Sequence, residues 1–301
     1  MHVIIAGGTG LIGQALSASL TADNHEVTVL SRSPGRVSAM PDGVSVVGWD
    51  ARTAEGWGEV VHGADAIVNL AGAPLNRPWT SRYKRLIRDS RVNAGQAVVE
   101  AVEAAKSKPS VVIQAAGVSL YGPRGDELVT EDEEAADTFL GRTAVLWEGS
   151  TAAVESLGVR RAIVRSAPVL STQGGVFPLM ALPFRFFVGG PLGSGRQWFP
   201  WIHIEDQVRA IRFLIEDKAA VGPFNLTAPE TVTSTEFSRA LGRVMRRPAF
   251  FRVPAFPLRL TLGEMSTVVL DGQRAVPGRL RDLAFTFRFP TLEMALRDLL
   301  G

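Results

Sequence analysis

A chain of 301 residues, 46% apolar and 21% charged, has enough apolar material to bury a full core as one large domain or two modest ones. The absence of cysteine excludes disulfides and thiolate chemistry, and His2, His25, His62 and His203 lack metal-ligand spacing, so no metal is expected. The net charge of +2 and scattered basic residues exclude a nucleic-acid footprint. The pI of 9.3 reflects only how little titrates between pH 7 and 9.

In chain order, residues 3–6 form a short buried strand, and residues 11–20 carry apolar side chains at helical spacing. Strands follow at 26–30, 44–48 and 66–70, then a long amphipathic helix at 80–105. A fifth strand spans 110–115, a helix 144–157 and a sixth strand 161–164. Strands that are apolar throughout, separated by helices, predict a parallel sheet covered on both faces, an α/β doubly wound Rossmann fold. Residues 1–168 form its nucleotide-binding domain, completed by a helix and strand within 203–226. Residues 169–202 and 227–301 form a smaller substrate-binding domain. Its helix from Thr233 carries a capping-box signal with Glu236, and a last helix starts near Leu292. The start of the chain has no charged segment followed by a long apolar one, and no run reaches the length of a membrane span. The most apolar stretch, 178–192, is broken by Pro183, Arg185 and Gly189-Gly190 and reads as a buried or partner-facing loop, with membrane contact as the minor alternative. A cytoplasmic monomer or homodimer is expected, with a small-molecule substrate and no membrane or nucleic-acid partner.

Gly7-Gly8-Thr9-Gly10-Leu11-Ile12-Gly13 lies between the first strand and the first helix. In that context Gly7 permits a tight turn, Gly10 lets a pyrophosphate approach the backbone, and Gly13 lets helix and strand pack closely. The helix N-terminus supplies N–H donors to the phosphates. The second strand ends in Leu30-Ser31-Arg32-Ser33, where an NAD-binding chain would carry an acid for the ribose hydroxyl. Arg32 pairs instead with a 2′-phosphate and Ser31 can donate to it, so NADPH/NADP is the expected cofactor. Asp50, after the third strand, is placed to accept from the adenine amino group.

The glycine pattern, Asn69-Leu70-Ala71-Gly72 after the fourth strand and Asn93 in the following helix resemble the extended short-chain dehydrogenase/reductase superfamily. Segments such as Ile87-Arg88-Asp89-Ser90-Arg91-Val92-Asn93, Gly193-Ser194-Gly195-Arg196-Gln197-Trp198 and Gly222-Pro223-Phe224-Asn225-Leu226 are closer to its atypical, epimerase-like subgroup. The resemblance covers essentially the whole chain. It implies that Leu70, Ala71, Gly72 and Pro168 border the cofactor, with Pro168 next to the nicotinamide carboxamide.

The superfamily's reductases use a tyrosine whose pKa is lowered by a lysine four residues on. The only tyrosines here, Tyr83 and Tyr121, are followed at that spacing by Ile87 and Gly125, and residues 138–144 hold neither Tyr nor Lys. Ser119 and Tyr121, after the fifth strand, are the substitute catalytic candidates, with packing and backbone-satisfying roles as the alternative. Arg91 and Lys84 share a helix face and are candidates for binding ribose, phosphate or an anionic substrate, Arg91 the stronger, with a solvated face as the alternative. Trp198 and Trp201 stand where nucleotide-sugar enzymes carry a diphosphate-binding arginine, which suits a flat or apolar ligand or a packed hinge. Three functions follow: an NADPH-dependent oxidoreductase or epimerase-like enzyme, a non-catalytic NADPH-binding sensor, and a nucleotide-sugar epimerase.

Overall fold

The computed structural model describes residues 1–37 and 40–301. Seven parallel strands form the central sheet: β1 (His2–Ala6), β2 (Glu26–Ser31), β3 (Val44–Gly48), β4 (Ala66–Asn69), β5 (Val111–Gly117), β6 (Arg160–Ser166) and β7 (Gly222–Leu226). Their spatial order is β7-β6-β5-β4-β1-β2-β3, so the chain winds outward in one direction and then returns to add β4 on the other side of β1. That reversal opens a crevice at the carboxyl ends of β1 and β4, the usual ligand position in a doubly wound sheet.

Successive strand residues point to opposite faces, and the core divides accordingly. Val3 and Ile5 of β1 pack on one side with Leu16 and Leu20 of α1 (Leu11–Ala22). Ile4 and Ala6 pack on the other with Ala94, Val98 and Val102 of α2 (Ser81–Ala104). Burial on both faces is why these strands are apolar throughout rather than alternating.

The 144–157 helix of the sequence reading is corrected. The structure starts α3 earlier, at Phe139–Gly149, and residues 152–157 turn as a 3-10 helix. Thr138 sets the start, its hydroxyl accepting from the Gly141 N–H. At the other end Ser150 presses against Gly95 of α2, where a Cβ would lie 1.8 Å from its Oγ.

Beyond β6 lie α4 (Phe177–Arg185), α5 (Ile204–Glu216), α6 (Ser234–Met245), α7 (Ala255–Leu262) and α8 (Leu292–Leu300). Helix α5 returns to the main sheet, where Arg212 donates to the Ser19 carbonyl and hydroxyl of α1 and pairs with Asp23. Helices α4, α6 and α8 surround a second core of Phe177, Phe184, Trp201, Phe237, Leu241 and Leu296. Thr233 and Glu236 close the capping box that starts α6. Among the described residues no helix is long and apolar enough to cross a membrane.

Candidate cofactor and substrate site

The glycine loop is shaped by its own backbone. Gly7 has φ +77°, and a Cβ there would meet the Ala71 nitrogen at 2.9 Å, so the loop after β4 lies directly against it. A Cβ on Gly13 would fall 2.4 Å from the Gly8 Cα, so α1 seats on the loop only because both positions lack side chains. Gly10 caps α1 without a side-chain hydrogen bond, and no acid stands in the first turn. Thr9 and Gly10 are exposed, while Leu11 and Ile12 are half-buried. The first N–H groups of α1 thus open onto the crevice as donors to an anion. This cradle fits a dinucleotide pyrophosphate.

At the end of β2, Ser31 is buried and its hydroxyl accepts from the Ser33 N–H. Arg32 is exposed and forms no ion pair with the described residues. Across the β2–β3 edge, Asp50 spends its carboxylate on a turn, accepting from the Arg52 and Thr53 N–H groups and the Thr53 hydroxyl. Those backbone bonds hold its pKa below the ordinary value. Asp50 is thus an ionised, exposed acceptor with part of its capacity already used.

Arg91 departs from the expected open anion ligand. It is 8% exposed, and its Nη1 donates to the Ala73 and Ile87 carbonyls. Its guanidinium stacks 4.6 Å from the Trp147 ring and underlies Gly72, where a Cβ would lie 3.0 Å from Cζ. Burial lowers its pKa to about 10, so it stays charged at neutral pH. The expectation is corrected: Arg91 pins the 72–73 loop from behind because helix α2 turns its side chain inward. Lys84 behaves differently. It pairs with Glu264 and rests 5.0 Å above the Phe139 ring, joining α2 to the C-terminal region.

Tyr121 is also corrected. It is fully buried; its hydroxyl donates to Asn225 Oδ1 (2.7 Å) and accepts from Arg165 Nη1 (2.9 Å). Burial raises its pKa, against the pull of Arg165, which is the opposite of what a proton-transferring phenol needs. Arg165 in turn pairs through two nitrogens with Glu148 of α3 and donates to the Glu131 carbonyl. Glu131 accepts from the Asn225 and Arg279 N–H groups. This network ties β6, β7 and α3 together. The sequence reading missed it; its visible trace was Arg165, directly after the apolar Ala162-Ile163-Val164 run of the sixth strand.

Ser119, in the turn after β5, is half-buried, and its Oγ lies close to the Gly117 backbone. Pro168 is half-buried after β6, and its carbonyl accepts from the Ile202 N–H. Trp201 is fully buried in the C-terminal core, its Nε1 without a hydrogen-bond partner among the described residues. The tryptophan three residues earlier is aimed elsewhere. Trp198 is half-buried; it donates to Asp126 Oδ1 (2.9 Å) and carries the Arg274 guanidinium 4.5 Å from its ring. Ser119, Pro168 and the loops of Gly7, Arg32 and Gly72 all follow the carboxyl ends of sheet strands.

Comparison with known proteins agrees with this geometry. Residues 3–145 match the NAD dependent epimerase/dehydratase family, and residues 253–299 match a domain of unknown function, DUF1731. The epimerase family protein SH2119 of Staphylococcus haemolyticus is 42% identical over 99% of this chain and 98% of its own. Human epimerase family protein SDR39U1, solved with NADPH, superposes with a TM-score of 0.89 at 33% identity, over 99% of both chains. The nucleoside-diphosphate sugar epimerase from Corynebacterium glutamicum gives 0.81 at 31% identity, over 100% of this chain and 58% of that one. The chain therefore belongs to the NAD-dependent epimerase/dehydratase family, as an extended short-chain dehydrogenase/reductase with a Rossmann NAD(P)-binding fold.

Proposed function

We propose that this protein is a cytoplasmic, NADPH-dependent oxidoreductase or epimerase-like enzyme acting on a small molecule without the usual Tyr-Lys pair. The observation that carries the reading is Arg32, an exposed cation at the carboxyl end of β2 with no acid beside it in sequence. An acidic residue there would repel a 2′-phosphate, whereas a guanidinium gains a charge-assisted hydrogen bond from it. The NADPH in the SDR39U1 structure supports the same choice.

When bound, the nicotinamide nucleotide supplies hydride transfer. The chain's own contributions are binding and orientation. The α1 N-terminus and the Gly7–Gly13 loop hold the phosphates, and Ser31 and Arg32 select the 2′-phosphate. Leu70, Ala71, Gly72 and Pro168 border the ribose and nicotinamide, and Asp50 meets the adenine. Ser119 remains at the strand ends as a hydrogen-bond partner for the substrate's reacting oxygen, and Trp198 offers an aromatic wall.

Calorimetric titration of wild type and Arg32→Ala with NADPH and NADH tests the reading. Losing the contact costs NADPH about 1–3 kcal/mol, roughly 5- to 150-fold in affinity, and leaves NADH unchanged. Equal NADPH affinity in both proteins, or no binding of either nucleotide, overturns it. One observation favours a second reading, a non-catalytic NADPH sensor: the residues where the dyad belongs include Phe139 and Ala144, and Tyr121 is locked in the core. That reading expects tight NADPH binding, no turnover across a carbonyl panel, and a partner whose affinity differs between NADPH and NADP⁺.

A further inference from the structure

The C-terminal region exposes an unusual amount of apolar surface. Phe186, Phe250 and Phe256 are 70%, 72% and 75% exposed, and Phe187, Val188 and Leu260 are exposed as well. The residues belong to neighbouring segments. The Phe251 N–H donates to the Gly189 carbonyl and the Val253 N–H to the Pro191 carbonyl, so 189–193 runs beside 251–253. The Phe250 and Phe251 rings lie 4.6 Å apart, and Arg247 stacks 4.4 Å from Phe187. Helix α7 follows at once, with Phe256 and Leu260 one turn apart and no residue of the helix buried. Contiguous exposed apolar surface of this kind marks an interaction site.

Charge says what covers it. Residues 172–204 and 237–263 contain no Asp or Glu and eight arginines. Arg239, Arg243, Arg246 and Arg247 line a surface cavity of about 380 Å³ on α6 and the turn that follows it. The acids that reach this surface come from outside these segments: Glu293 stands 3.7 Å from Arg243, and Asp271 faces Arg259. A second copy docked through the same face would set arginines against arginines. Exposed phenylalanine and leucine among an excess of arginines match a bilayer surface, where the apolar side chains enter the acyl boundary and the guanidinium groups meet headgroup phosphates.

We infer that this face, from Phe186 through Arg247 and Phe250 to Leu260, docks the protein peripherally on an anionic lipid bilayer. The four-arginine cavity receives headgroup phosphate, and the phenylalanines supply the apolar anchor. The sequence expectation of no membrane partner rested on the lack of a spanning segment, and a surface that lies on a bilayer needs none.

The test is co-sedimentation of the full chain with phosphatidylcholine vesicles, with and without phosphatidylglycerol. Binding to the anionic vesicles alone is expected. Arg246→Gln with Arg247→Gln lowers the partition coefficient about 25-fold, near fivefold per arginine. Phe250→Ser with Phe256→Ser lowers it at least tenfold or so, as two anchors are lost. The substituted side chains are exposed, and an unchanged thermal midpoint checks that the variants fold. No binding to anionic vesicles overturns the proposal, as does binding that survives both double variants. A phenylalanine-dependent dimer in sedimentation, or capture of an acidic protein without vesicle binding, assigns the face to another partner and overturns it equally.

Discussion

Replacing Tyr121 by phenylalanine separates a structural tyrosine from a catalytic one. The substitution keeps the ring and removes one oxygen, which donates to Asn225 Oδ1 and accepts from Arg165 Nη1. Asn225 keeps its bond to the Val276 carbonyl, and Arg165 keeps Glu148 and the Glu131 carbonyl. The damage is therefore one neutral bond of about 1 kcal/mol and one charged bond of roughly 1.5–3 kcal/mol, about 2–4 kcal/mol together. In a chain of a few hundred residues this lowers the thermal midpoint by roughly 4–15 °C, at about 2–4 °C per kcal/mol. The assay is thermal unfolding beside NADPH titration. The expected result is a clear drop in midpoint with unchanged affinity for the nucleotide. An unchanged midpoint together with lost turnover would refute the assignment and return Tyr121 to the chemistry.

Two buried arginines should respond differently. Arg91→Met leaves no carboxylate behind and should cost about 1–3 kcal/mol in urea unfolding, whereas Glu148→Gln strips the buried Arg165 of its partner and should cost about 3–5 kcal/mol; the reverse order would contradict the pairing described. Gly13→Ala places a methyl 2.4 Å from the Gly8 Cα, so α1 must shift. The expected cost is about 1–3 kcal/mol with a marked loss of NADPH affinity, and unchanged binding would remove the loop from the site. His203 is buried beside Asp298, and burial holds its pKa below 6.5 in the folded chain despite that acid. Between the folded value and 6.5 the unfolded chain takes up a proton that the folded chain refuses, so stability falls as pH drops below about 6.5 and the histidine has no effect above it. His203→Asn should flatten that part of a midpoint-against-pH curve, and an unaltered slope would remove His203 as its source.

The parts legible in the sequence are those the backbone imposes. A parallel strand buried on both faces must be apolar, and a loop pressed against its neighbours must be glycine, so the sheet and the Gly7–Gly13 turn announce themselves locally. The Thr233–Glu236 box is equally local. What the sequence concealed depends on partners far along the chain. Tyr121 meets Asn225 across 104 positions, and no spacing around Tyr121 announces that contact. Arg91 falls on the apolar face of α2, four residues after Ile87 and seven before Val98, so its inward direction was legible; its partners, Trp147 and the Ala73 carbonyl, were not. Trp198 and Trp201 are three residues apart, yet Trp198, in a short strand paired with residues 232–233, flanks Asp126 and Arg274, while Trp201, past the end of that strand, is core.

The absent dyad and the buried network are connected through α3. In reductases of this superfamily that helix presents the Tyr-Lys pair to the nicotinamide. Here its residues are committed to holding neighbouring elements. Phe139 packs edge-on to Trp79 and under Lys84, Trp147 stacks on Arg91 of α2, and Glu148 pairs with Arg165 of β6. A tyrosine at residue 139 or 140 would need its lysine at 143 or 144, and both Thr143 and Ala144 are buried. A lysine at either position would have to run its stem through the contacts that Thr143 and Ala144 now fill. The absent dyad thus coincides with a helix whose other side chains hold neighbouring elements. The positions proposed above, Ser119 in the turn after β5 and Trp198 with Arg274 across from Asp126, are therefore the ones whose substitution tests for proton transfer.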